Sequence, residues 1–161
     1  MDLEAVREIK RLKYRYARAL DTRSWAELAD TLVPEATAVY GEYLSFESRD
    51  AFINFLESTL GAHMLTEHHC SHPQIEISED GATATGIWLL ADTVIVPEDK
   101  MFLRGSAYYH DRYVLCPDGQ WRISQTGYER NWETAISLED LPSFRLTTNQ
   151  WSKMRQPPRA S

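Results

Sequence analysis

The sequence lacks the features of several large protein classes. No apolar run approaches the ~18 residues that would cross a bilayer. Cysteine is confined to Cys70 and Cys116, too little for the disulfide framework of a small secreted domain. Positive charge is scarce and scattered: 17 Lys and Arg stand against 24 Asp and Glu, a net charge of −7. That argues against nucleic acid and against an anionic membrane surface as partners. A phosphate-binding glycine loop, a dinucleotide fingerprint and a nucleophile elbow are all missing. The opening residues MDLEAVREIKRLKYRY are charged throughout and hold no signal-peptide core. A soluble cytoplasmic protein is the expectation.

What is present suits one domain. A chain of 161 residues buries enough surface to need no metal or disulfide staple. Leu3, Val6, Ile9, Leu12, Tyr16, Ala19 and Leu20 recur at three- and four-residue steps, the period of an amphipathic helix. Ser24 and Glu27 have capping-box spacing for a second helix carrying Trp25, Leu28 and Leu32, with Pro34 just beyond its end. A third helix fits 49–60, capped by Ser48 and stopped by Gly61.

The remainder reads as strands. A short hairpin fits 36–46. Residues 63–78, 82–96, 101–116 and 120–132 are rich in β-branched and aromatic residues, and Glu79-Asp80-Gly81 and Pro117-Asp118-Gly119 separate two of the pairs as hairpin turns. Helices first and an antiparallel meander after make an α+β layout. Strand 82–96 is apolar on both faces, which predicts a sheet covered on both sides. A domain over 1–140 is followed by a polar tail, 141–161, with Pro157-Pro158 near its end.

Some residues need a chemical reason. Thr66–Ile77 reads TEHHCSHPQIEI, which holds three of the five histidines. In an extended strand Met64, Thr66, His68, Cys70 and His72 share the less polar face, so His68 points inward and His69 outward. Ile75 and Ile77 then fall on the wrong side unless a bulge or bend sits at Pro73. A metal reading of His68, Cys70 and His72 lacks any recognised ligand spacing. Asp92 sits amid GIWLLADTVIVP, where a carboxylate is costly unless paired; it either bonds a neighbouring strand or tunes a histidine. Tyr16 lies on the inner helical stripe. Asp21 ends that helix, where the macrodipole disfavours an anion; it either forms a local turn or serves a group that needs a carboxylate. The titratable set of His, Asp, Tyr and Arg suits moving protons more than covalent catalysis.

The order of Tyr16–x4–Asp21, the His-His segment followed by IEI, GIWLLAD and DGQWRISQTGYERNWE resembles the SnoaL-like families of the nuclear-transport-factor-like superfamily. The resemblance covers about residues 3–135 and is greatest to bile-acid 7α-dehydratase and scytalone dehydratase-type lyases. It implies a cone-shaped fold, with helices packed on the concave face of a curved, mostly antiparallel sheet around an apolar pocket. It also implies roles. His68, eight residues before Glu76, matches the base of the dehydratase relatives. Asp21 matches the carboxylate paired with that base in the dehydrochlorinase relative. Tyr16, Asp92 and Arg130 match the tyrosine, strand acid and arginine of the bile-acid enzyme.

The chemistry implied is loss of water beside a carbonyl, without cofactor or metal, from a hydroxylated alicyclic, steroid-like or polyketide-like substrate. His68 takes a proton from carbon, Asp21 or Asp92 orients it, and Tyr16 acts as acid or as donor to the enolate. Arg130 holds a polar part of the substrate or orients Asp92. Tyr40, Trp88, Tyr108 and Trp132 are the candidate pocket wall. An isomerase, a polyketide cyclase and a noncatalytic binding domain remain alternatives. The implied partners are a small hydrophobic molecule, with a CoA thioester as one form, and further copies of the chain as a trimer or dimer through the outer sheet face.

Overall fold

The computed structural model describes residues 2–153. Helix α1 spans Leu3–Asp21, and Asp2 caps it by accepting from the backbone N–H of Glu4 and Ala5 at 3.0 and 3.1 Å. Helix α2 (Trp25–Asp30) is shorter than the sequence pattern predicts. Its capping box does not form, because Ser24 Oγ pairs with Thr22 Oγ1 instead. Leu32 and Pro34 belong to strand β1 (Leu32–Tyr40) rather than to the helix and its stop. Pro34 falls where the β1 register shifts, a place that tolerates a missing N–H.

Strand β2 (Leu44–Phe46) pairs antiparallel with β1. Helix α3 (Arg49–Thr59) is capped by Ser48, which accepts from Ala51 N. Four long strands follow: β3 (Leu65–Ile77), β4 (Thr83–Val96), β5 (Met101–Leu115) and β6 (Trp121–Ser137). The sheet order is β2-β1-β6-β5-β4-β3, with β1–β6 the parallel pair. The α+β architecture expected from the sequence is the one observed. Helix α1 packs against β3 and β6, and α3 against β1. Ile9, Leu12, Leu20, Leu28, Phe52, Trp88, Leu90 and Ile123 form much of the core between them.

Two bulges set side-chain direction. In β3 the register shifts between Ser71 and Gln74, with His72 at φ +49°. The extra residue returns Ile75 and Ile77 to the inner side, where both pack on the core. In β6 the register passes from Ala107–Arg130 to Ser106–Trp132, leaving Asn131 as the extra residue.

One face of the sheet is open within the single chain. The outer face of β4 is not covered in the single chain: Ile87 is 36% exposed, and Tyr108, which lies opposite Leu89 on β5, is 46% exposed. The apolar side chains that suggested two covering layers line an open surface. The tail as far as Lys153 returns to the body, where Asn149 Nδ2 donates to Ala62 O at 3.4 Å. Pro157-Pro158 lies outside the described residues.

Candidate active site

An apolar cavity of about 180 Å³ lies between α1, α3 and the inner sheet face. Leu20, Leu44, Phe52, Phe55, Leu56, Leu60, Met64 and Val94 supply its greasy wall. The chemistry-bearing groups His68, Asp92, Arg130, Tyr40, Tyr109 and Tyr128 border it too.

Asp21, the last residue of α1, reaches His68 on β3 twice. Its Oδ1 is 2.7 Å from His68 Nδ1, and its Oδ2 accepts the His68 backbone N–H at 2.8 Å. Thr66 Oγ1 also donates to Asp21 Oδ1 at 2.9 Å. These donors offset the unfavourable position of an anion at a helix C-terminus. A carboxylate only accepts, so Nδ1 carries a proton, and in the neutral form of this ring, which lines the cavity, Nε2 is the nitrogen with the free lone pair. Of the two candidate acids, Asp21 is the one that holds the histidine.

Arg23 fastens this pair in place. Its guanidinium donates to Asp21 O, to Met64 O and, at 3.3 Å, to Thr66 Oγ1, tying the end of α1 to the start of β3. Arg23 is buried at φ +56°, with its Cζ 5.5 Å from the centroid of the Trp151 ring. Burial lowers its pKa and the Asp21 charge opposes that shift. Nothing in the sequence flagged Arg23; a positive φ just after a helix is visible only in the backbone.

Asp92 faces the cavity at 3% exposure and is held by Arg130 rather than by His68. Arg130 Nη1 and Nη2 donate to its two oxygens at 2.5 and 2.8 Å, and Arg130 Nε lies 2.9 Å from Glu133 Oε2. The Asp92 hydrogen bond, the largest influence, holds the Arg130 pKa above its ordinary value despite burial. Gly105 makes room, because a Cβ there would lie 2.5 Å from Arg130 Nη1.

Tyr16 sits behind the cavity. Its hydroxyl pairs with that of Tyr40 at 3.0 Å, and it is Tyr40 that borders the space. Burial raises the pKa of Tyr16, Tyr40, Tyr109 and Tyr128, so all four hydroxyls keep their protons near neutral pH. Beneath them lies a buried ion pair, Lys13 Nζ to Asp111 Oδ2 at 2.7 Å. The ammonium stands 3.5 Å from the Tyr109 ring centroid. Tyr113 and Thr126 donate to Asp111, each at 2.7 Å, and Trp88 Nε1 donates to Tyr113. The sequence reading missed Lys13 and Asp111, although each interrupts an apolar row: Lys13 shares the inner stripe with Ile9 and Tyr16, and Asp111 alternates with Tyr109 and Tyr113.

Of the four expected wall residues only Tyr40 lines the cavity. Trp88 is fully buried in the core beside Tyr113. Tyr108 and Trp132 are on the outer face, Trp132 because the Asn131 bulge reverses its direction relative to Arg130. His69 pairs with exposed Glu67, and His72 with Ser71 on the surface. No group of three metal-ligating side chains comes together among the described residues.

The sequence profile of the SnoaL-like domain matches residues 1–126. The chain belongs to the SnoaL-like family. Solved structures agree on the fold of this SnoaL-like protein. A candidate scytalone dehydratase from Novosphingobium aromaticivorans is 24% identical over 83% of this chain and 88% of its own, at a TM-score of 0.75. A hexachlorocyclohexane dehydrochlorinase, LinA-type3 from Novosphingobium barchaimii, is 15% identical over 91% and 96%, at 0.76. ActVI-ORFA from Streptomyces coelicolor is 18% identical over 78% and 96%, at 0.66.

Proposed function

We propose that this SnoaL-like protein is a cofactor-independent dehydratase acting on a hydroxylated cyclic substrate of alicyclic, steroid-like or polyketide-like type. The observation that carries the reading is the His68 ring, fixed through Nδ1 by Asp21 at the edge of an apolar cavity. His68 Nε2 takes a proton from the carbon beside a carbonyl. The carbon–hydrogen electrons move toward the carbonyl oxygen, and Asp21 stabilises the imidazolium that forms. Tyr40, backed by Tyr16, donates to that oxygen as charge develops. Collapse of the enolate forms the double bond and breaks the bond to the β-hydroxyl. The hydroxyl leaves as water with a proton from the tyrosine pair, which the imidazolium proton then restores. Asp92 and Arg130 form the far polar wall. The names of the structural neighbours, a dehydratase and a dehydrochlorinase among them, favour elimination over a purely binding role.

The proposed setting is the cytoplasm, and the proposed assembly a homo-oligomer through the open sheet face. No helix among the described residues is long and apolar enough to cross a membrane.

The test is a mass-spectrometric screen of hydroxylated cyclic ketones and their thioesters for loss of water, repeated with His68→Asn shown to be folded. Turnover should fall by ~10²–10⁴-fold in the variant. A folded variant with wild-type turnover would remove His68 from the chemistry.

A further inference from the structure

We infer that this site selects an uncharged ring as its substrate, and that Asp92 and Glu133 set this selectivity by occupying Arg130. The inference rests on the proposed reading for the identity of the site, and it narrows the substrate.

Arg130 is the one Lys or Arg among the described residues that line the cavity. A free guanidinium there would be a ready receptor for a carboxylate, because its planar fork matches the two oxygens. The fork is already filled. Nη1 and Nη2 bond both oxygens of Asp92, at 2.5 and 2.8 Å, and the Nε–H lies 2.9 Å from Glu133 Oε2, so a carboxylate stands at each of the two edges that could take a ligand's carboxylate in a fork, with three of the five N–H groups engaged. One cation therefore faces two carboxylates, and an anionic ligand would meet excess negative charge against an apolar wall.

The other nearby cations do not change this balance. Arg23 bonds Asp21 O, Met64 O and Thr66 and does not border the cavity. Lys13 is paired with Asp111 behind the Tyr109 ring. The Asp21 carboxylate adds further negative charge behind His68.

Gly105 leaves room for the pair, since a Cβ there would lie 2.5 Å from Arg130 Nη1 and the guanidinium would have to shift. The size of the space sharpens the inference. At about 180 Å³ it is near the ~150 Å³ dry cavity that holds benzene. One substituted ring fills it, and a fused tetracycle would leave much of its length outside. The polar needs of the ligand are met by tyrosine hydroxyls and His68, groups suited to a ketone or an alcohol.

The test is binding by calorimetry with matched pairs: cyclohexanone against cyclohexanecarboxylate, and 2-naphthol against 2-naphthoate. The neutral member of each pair should bind the wild-type protein at least ten-fold more tightly. In Asp92→Asn/Glu133→Gln the guanidinium keeps only uncharged acceptors, and the preference should turn toward the carboxylates. A carboxylate that binds the wild-type protein as tightly as its neutral partner overturns the inference, as does failure of both neutral compounds to bind. The wild-type comparison decides even where the double variant does not fold. The two ideas fail separately. A neutral preference with no water loss from any substrate sinks the dehydratase reading alone, and efficient dehydration of a carboxylated ring sinks the selectivity alone.

Discussion

Lys13 Nζ lies 2.7 Å from Asp111 Oδ2, with both side chains closed off from solvent in the centre of the fold. Breaking such a pair by removing one charge leaves the other buried and uncompensated, whereas replacing both is far better tolerated. Lys13→Met should therefore cost about 3–5 kcal/mol. Lys13→Met/Asp111→Asn should recover most of that loss, because the Asn oxygen can still accept from one of Tyr113 and Thr126 while its NH₂ donates to the hydroxyl of the other. Urea unfolding of both proteins reads the difference. Equal destabilisation in the two would show that the ion pair is not the source.

Asp21→Asn should damage catalysis through the tautomer of His68. An amide placed at 2.7 Å from Nδ1 can turn its NH₂ toward the ring, which moves the ring proton to Nε2 and removes the base. The expected loss in kcat is ~10²–10⁴-fold with the fold retained. Asp92→Asn should cost far less, because Asp92 bonds Arg130 and not the ring. The reverse ranking would contradict the assignment of Asp21.

Stability should fall steeply in alkali. Burial holds Tyr16, Tyr40, Tyr109 and Tyr113 above the ordinary tyrosine pKa of 10.0. Above about pH 10 the unfolded chain releases these protons while the folded protein keeps them, so each tyrosine removes up to about 1.4 kcal/mol per pH unit. Their contribution is fully present below that pH and is lost as pH rises toward the folded values. Urea midpoints should be level from pH 8 to 9.5 and drop by pH 11, with a shallower drop in Tyr16→Phe. A midpoint unchanged at pH 11 would rule this out.

Gly105→Ala should loosen the Asp92–Arg130 pair. The added carbon would fall 2.5 Å from Arg130 Nη1, so the guanidinium must move. Asp92, almost fully buried, then loses part of its hydrogen bonding, at about 1–3 kcal/mol. A thermal melt unchanged from wild type would mean that the arginine has another equally good position.

Leu89→Glu/Tyr108→Glu should yield monomers. These residues are direct neighbours across β4 and β5 on the open outer face, so two carboxylates there would repel a second copy. Light scattering at micromolar concentration should show a larger species for the wild-type protein only. An oligomer that survives the change must use another surface.

The parts of the site legible in the sequence were those governed by local period. Alternation along β3 put His68 inward and His69 outward, and the mismatch of Ile75 and Ile77 called for the bulge that His72 forms. Trp132, a candidate for the pocket wall, is turned outward by the bulge at Asn131, which no proline or glycine in the sequence announces. An apolar outer row on β4 reads alike whether its own chain covers it, a second copy does, or it is left open; within the single chain it is open.

By itself the sequence determined the α+β order, the inner stripe of α1 and the faces of β3, since each follows from spacings of two to four residues. Only the tertiary structure decided which acid holds His68, that Arg23 locks the two together, that Arg130 is occupied, and that Lys13 and Asp111 meet in the core. These are contacts between residues 38 to 98 positions apart. The physical reason is that helix and strand periods fix the direction of a side chain, while its partner depends on the curvature and register of the whole sheet.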